Sequence, residues 1–108
     1  HYLNIKETDE AITMFRKFVD LAPEQANSYN CLGQAYQQKR MYAEAISAFQ
    51  KALEKDPSLA HLVFRIAQLY EFKGVKNLAR AHYQSYVSMI PRGRAADDAR
   101  EKIRLLAQ

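Results

Sequence analysis

Tyr29-Asn30-Cys31-Leu32-Gly33-Gln34-Ala35-Tyr36 sets Tyr29, Leu32, Gly33 and Tyr36 at i, i+3, i+4 and i+7, one stripe along an α-helix. Val63, Ile66, Ala67 and Tyr70 repeat that stripe 34 residues later. A second stripe follows each of these: Ala45, Phe49, Ala52 and Leu53, then Ala79, Tyr83, Tyr86 and Val87. The breaks Lys39-Arg40-Met41 and Lys73-Gly74-Val75 separate first stripe from second. Each period therefore predicts two amphipathic helices of roughly 14 residues joined by a tight turn. Small residues at Gly33, Ala45, Ala67 and Ala79 let two helices approach closely, and the aromatic residues fill the space beside them.

The same register extends outward in both directions. Pro23, Pro57 and Pro91 are each 34 residues from the next, as are Tyr2, Tyr36 and Tyr70, then Ala11, Ala45 and Ala79, then Phe15, Phe49 and Tyr83. Proline has a fixed φ and no N–H, so it suits the first turn of the following helix. Asp56 before Pro57 can then serve as N-cap, whereas Ala22 and Ile90 hold the equivalent places without a capping side chain. Residues 92–108 leave the period. Ala96, Ala99, Ile103 and Leu106 form a different stripe, introduced by the turn Pro91-Arg92-Gly93-Arg94. They predict one more amphipathic helix with a polar outer face, of the kind that seals the last interface of a repeat array.

Tyr29-x2-Leu32-Gly33-x2-Tyr36, Ala45-x3-Phe49-x2-Ala52 and Pro57 together resemble the tetratricopeptide repeat family. The middle repeat matches nearly throughout, with Tyr29 where the family often has Trp. The next repeat departs at Ala67, in the place of the glycine, and at Tyr86, where a small residue is usual, which predicts locally adjusted packing. The resemblance implies an all-α fold, an α-solenoid of antiparallel helix pairs with a 34-residue period and a C-terminal capping helix. The expected organisation is a single domain over 1–108: a partial repeat at 1–25, full repeats at 26–59 and 60–93, and the capping helix at 94–108. Because the chain starts inside a repeat, it reads as a fragment of a longer protein.

Composition excludes several classes. The chain is 48% hydrophobic and 26% charged, too apolar for disorder. The single cysteine, Cys31, allows no intramolecular disulfide framework or Cys-rich zinc site, and is read as a small packing residue. It fits a reducing cytoplasm, the favoured compartment, and equally a periplasmic domain without disulfides. The Ala- and Arg-rich C-terminal helix is bacterial in style. No apolar run is long enough to span a membrane, and no signal-peptide pattern opens the chain. There is no glycine-rich phosphate loop, nucleophile elbow or His-Glu-x-x-His helix, and His1, His61 and His82 lack metal-ligand spacing. Neither an enzyme, a cofactor nor a metal is expected.

The net charge of +4 is uneven: residues 1–23 sum to −1, 24–57 to zero, 58–91 to +3 and 92–108 to +2. This excess is small for a nucleic-acid surface, and the aromatics are committed to the helical stripes, so binding through Lys73, Lys76, Arg80, Arg92 and Arg94 is disfavoured.

What remains is the surface. In the family that the chain resembles, the first helix of each repeat lines a concave groove that binds peptide segments of partner proteins. Here the face opposite the Tyr29–Leu32–Tyr36 stripe carries Asn27, Asn30, Gln34 and Gln38. Helical spacing puts these amides in a row that can donate to and accept from an extended peptide backbone. One period on, the same face carries His61, Arg65, Gln68 and Phe72, with Phe64 at its edge. Phe64 and Phe72 lie off the core stripe and are expected at the surface unless a neighbouring helix covers them. Arg65, with His61 one turn away, suits a carboxylate, and aromatic residues beside Arg are typical of binding hot spots. Lys102 of the capping helix is expected on the same wall. Chaperone-binding members of the family clamp a C-terminal carboxylate with Lys, Asn and Arg residues. Arg65 fits that pattern, but His61, Cys31, Asn30 and Gln34 depart from it, so a tail clamp is disfavoured. The alternative expectation is a self-associating module: Ile12, Phe15, Phe18 and Val19 lack most of the helix that should cover them, leaving an apolar stripe for a further repeat or a second copy.

Overall fold

The computed structural model describes residues 5–22 and 25–107, with side chains described from residue 9 onward. His1, Tyr2, Leu3 and Pro23 lie outside the described residues, as does the side chain of Ile5. Six helices are described: α1 (Ile5–Leu21), α2 (Ala26–Gln38), α3 (Tyr42–Lys55), α4 (Ala60–Lys73), α5 (Lys76–Met89) and α6 (Arg94–Leu106), with no strand among the described residues. They fall into two compact units, residues 1–57 and 58–108. In the first, α2 packs against both α1 and α3; in the second, α5 packs against both α4 and α6.

The 34-residue period is written into the backbone. The amide of Arg40 donates to Gln37 O at 2.9 Å and that of Met41 to Tyr36 O at 2.9 Å; one period on, Gly74 donates to Glu71 O at 3.0 Å and Val75 to Tyr70 O at 2.9 Å. This paired Schellman pattern ends the first helix of each pair and needs a left-handed residue. Gly74 supplies it at φ 81°, and Arg40 does so at φ 63°. The second helices end alike, with the amides of Ala22, Asp56 and Ile90 donating to Phe18, Ala52 and Tyr86 at 2.8, 2.9 and 2.8 Å.

Pro57 and Pro91 do not open helices. Pro57 and Pro91 each stand three residues before the next helix, whose N-caps are Leu59 and Gly93, without a side-chain capping bond. Asp56 is the C-cap of α3. The proline ring disfavours the helical region for the residue before it. Accordingly Asp56 (φ −144°, ψ 89°) and Ile90 (φ −128°, ψ 87°) are extended, and the preceding helix stops there.

Each unit has its own aromatic centre. In the first, Phe49 is fully buried, and a Cβ added to Gly33 would lie 2.7 Å from Phe49 Cε1, so only glycine lets α2 come this close to α3. In the second, Ala67 and Tyr83 hold the equivalent positions, both fully buried. Tyr86 stands where the first unit has Ala52. Phe64, in the place of Asn30, meets it edge-on at 5.1 Å and meets Tyr83 at 5.4 Å. The larger residue on α5 is thus matched by a larger residue on α4. Ala96 and Ala99 of α6 are fully buried, as the sequence stripe requires of the last helix.

Candidate functional site

On α2, Asn27, Gln34 and Gln38 are exposed and Asn30 is half-buried. Gln34 Nε2 donates to Asn30 Oδ1 at 3.1 Å, one turn apart, which aligns two of the four amides along the helix. The remaining face of the row is polar and open to hydrogen bonding.

On α4, His61 and Gln68 are exposed and Arg65 is half-buried. Phe72 is 67% exposed. Phe64 departs from its expected place at the surface: α5 covers it through the two edge-on contacts with Tyr83 and Tyr86. It is a packing residue of the second unit.

Lys102 also has a structural task. Its Nζ donates to Glu71 Oε2 at 3.0 Å, while Tyr83 Oη donates to Glu71 Oε1 at 2.7 Å. One carboxylate of α4 thereby receives a donor from α5 and another from α6. Burial of Glu71 favours its neutral form, but the hydrogen bonds from Tyr83 and Lys102 outweigh that and hold its pKa below 4.5. Burial, and then the Glu71 carboxylate, push the Tyr83 phenol well above its ordinary range, so it remains a donor.

The apolar face of α1 is covered on one side only. Ile12 is buried with Leu32, Ala35 and Ala48, and Phe15, Val19 and Tyr36 pack against that cluster. Of the four residues expected to be uncovered, Ile12 therefore belongs to the core of the first unit, and Phe15 and Val19, half-buried, pack against it. Phe18 stays at the surface, its ring 6.2 Å from that of Phe15. Met14, Phe18 and Leu21, at i, i+4 and i+7, form a separate exposed stripe. Beside α1 lies a cavity of about 530 Å³ whose lining includes Asp9, Arg16, Tyr36, Lys39 and Glu44. Lys39 and Asp9 form an ion pair there. Among the described residues no group of three or more His, Cys, Asp or Glu is placed to hold a metal ion, and no helix is long and apolar enough to cross a membrane.

These repeated turns, caps and small-against-aromatic contacts have a counterpart in known sequences. Tetratricopeptide repeat family models match residues 26–59 and residues 2–25. The chain belongs to the tetratricopeptide repeat family. Among curated relatives, Tetratricopeptide repeat protein 37 of Xenopus laevis is 28% identical over 83 residues, 77% of this chain and 5% of the relative. Superkiller protein 3 of Schizosaccharomyces pombe is 31% identical over 77 residues, 71% of this chain and 6% of the relative. The tetratricopeptide chain thus spans about a twentieth of the length of the curated relatives it matches. Among solved structures, the Yersinia enterocolitica type III secretion chaperone SycD, in complex with a peptide of the translocator YopD, superposes with a TM-score of 0.84 at 15% identity. The match covers 94% of this chain and 81% of that one and places the fold among the α-solenoid repeats.

Two features of this tetratricopeptide chain escaped the sequence reading: the carboxylate shared by three helices and the stripe on α1. The signal for the first was Tyr83 in the place of Phe49, since a hydroxyl carried into a core position needs an acceptor, and Glu71 in the place of Gln37 provides one. The signal for the second was the i, i+4, i+7 spacing of Met14, Phe18 and Leu21 beside the inward stripe.

Proposed function

We propose that this tetratricopeptide chain is a non-catalytic protein-interaction module that holds peptide segments of partner proteins on the outward faces of α2 and α4. The observation that carries the proposal is Phe72: a large aromatic residue two-thirds in water on a face otherwise made of His61, Arg65 and Gln68. Covering such a ring contributes about 2 kcal/mol. Arg65 adds a planar donor fork for carboxylate or backbone oxygen. The amide row on α2 offers hydrogen bonds that do not depend on the ligand's side chains. The peptide complex of SycD supports the choice of ligand class. Affinity capture with the wild type and the Arg65→Ala/Phe72→Ala double variant tests this. The double variant is expected to lose its partners while its far-UV helix signal is unchanged. Recovery of every partner by the double variant would overturn the assignment of the face.

A second reading, self-association, is favoured by the α1 stripe, where Met14, Phe18 and Leu21 are 54%, 46% and 82% exposed. Its apolar residues are Met14, Phe18 and Leu21; Ile12, Phe15 and Val19 face the other way.

A further inference from the structure

Helices α1, α3 and α5 stand in one 34-residue register and compare position by position. Glu10, Glu44 and Leu78 share a place, as do Lys17, Lys51 and Ser85, and then Asp20, Glu54 and Ser88. All nine residues are exposed. Lys55 of α3 is likewise matched by Met89. A helix face in water ordinarily carries charge, and α1 and α3 keep it, acid for acid and base for base. α5 has none at any of these places. The fold does not impose this, since α3 carries the charged residues in the same register.

What stands there instead is a defined surface. Leu78, Ala81, Ser85, Ser88 and Met89 lie at i, i+3, i+7, i+10 and i+11, on the side of α5 away from the buried Ala79, Tyr83 and Tyr86. Leu78 and Met89 are each 39% exposed. They are about 16 Å apart along the helix axis, and the side chains between them are small. This makes a shallow seat with an apolar side chain at each end. Its hydroxyls are neutral, so covering them strips no charge of water. Exposed cations stand around the two ends of α5: Lys73 and Lys76 at its start, Arg92 and Arg94 beyond its end. From Phe72 to Ala96 there is no Asp or Glu.

We infer that this face of α5 docks an amphipathic helix of a partner protein, apolar along three turns and acidic at both ends. The small residues let a helix lie close, its apolar stripe covers Leu78 and Met89, and its acids meet the cations at either end. A second copy of this chain is less suited. Residues 58–108 hold nine Lys and Arg against four Asp and Glu, so pairing α5 with its own copy sets like charge against like. The face uses none of the α2 and α4 residues assigned to peptide binding, and the two readings stand or fall separately.

The test is selection of a phage-displayed library of helical peptides on the full chain, with counter-selection against Leu78→Glu/Ser85→Lys/Ser88→Glu/Met89→Lys. This quadruple variant gives α5 the outer charges of α3 and leaves the net charge unchanged. Enriched helices are expected to carry Leu, Ile, Phe or Met along one face and Asp or Glu at both ends. By fluorescence anisotropy, the quadruple variant should bind an enriched peptide about tenfold more weakly or worse, the scale of losing the apolar contacts of one or two side chains. Its far-UV helix signal should be unchanged; if the charges disturb α5, Leu78→Ser with Met89→Ser makes the same comparison. Arg65→Ala with Phe72→Ala should bind as the wild type does. No enrichment, enrichment of neutral or basic helices, or loss of binding in the Arg65/Phe72 variant overturns the inference. A wild-type mass above the monomer that falls in the quadruple variant assigns the face to a second copy. Co-sedimentation with phosphatidylserine vesicles that falls in the same variant assigns it to a membrane surface. Either result overturns the inference as well.

Discussion

Gly33 and Arg40 constrain the backbone in opposite ways. Gly33 is where a side chain must be absent. An alanine Cβ would meet three carbons of the Phe49 ring at 2.7, 2.8 and 2.9 Å, and that ring is fully buried. Overpacking of this kind costs about 1–3 kcal/mol, and the gain in helix propensity returns only about 1 kcal/mol. Gly33→Ala is therefore expected to lower the urea midpoint, by a net loss of about 1 kcal/mol, with an unchanged slope. Arg40 is where a side chain is tolerated at a cost. It holds a left-handed φ of 63° in the turn where its counterpart one period on is Gly74. Left-handed backbone costs a residue with a Cβ roughly 1–2 kcal/mol, part of which the greater unfolded-state freedom of glycine cancels. Arg40→Gly should raise the thermal midpoint, with a gain of about 0.5–1 kcal/mol. A fall would show that the Arg40 side chain contributes more than its backbone strain removes.

At the scale of helices, the second unit is joined by more than apolar packing. Glu71 of α4 binds Tyr83 of α5 and Lys102 of α6. Its pKa is lower folded than the ordinary 4.5, so folding favours the ionised form. The stabilisation it gives is complete above pH 4.5 and is lost as the pH falls below that value towards the folded pKa. Glu71→Gln has no such proton to take up. The stability difference between wild type and Glu71→Gln, from urea titrations at several pH values, is expected to be largest near neutrality and to shrink below pH 4.5. A difference that is constant with pH would count against the network. The same helices show how a departure from a repeat pattern is absorbed: Tyr86 is accommodated because Phe64 has replaced a polar residue opposite it.

At the scale of the whole molecule, each unit has exposed apolar residues of its own. Those of α1 are on the unit that carries seven basic against eight acidic residues, and Phe72 and Leu105 are on the unit that carries nine against four. If the α1 stripe mediates self-association, light scattering should show a mass that rises with protein concentration, and Met14→Ser with Leu21→Ser should abolish the rise. Neither change touches the α4 face, so peptide binding should survive them. A strict monomer at high concentration would remove the self-association reading.

The helices, their pairing and the turn within each pair were legible in the chain by itself, because spacing along a helix fixes which residues share a face and the period repeats that spacing; the turns at Asp56-Pro57 and Ile90-Pro91 were not, since each proline stops the helix before it instead of opening the next. The placing of small residues opposite aromatics was legible for the same reason. The tertiary structure alone decided which residues off the stripe meet water. Phe64 and Phe72 lie eight residues apart on one helix and look equivalent in sequence, yet one is covered by α5 and the other is exposed. Ile12 likewise proved to be buried, and Phe15 and Val19 half-buried, against a cluster that draws on α2 and α3. Lys102 was placed near α4 from the sequence, but its partner, 31 residues away, was not. Periodicity gives an angle about a helix axis. It does not give where along that axis a neighbouring helix lays its large side chains, and that contact determines which residues are core and which are left for a partner.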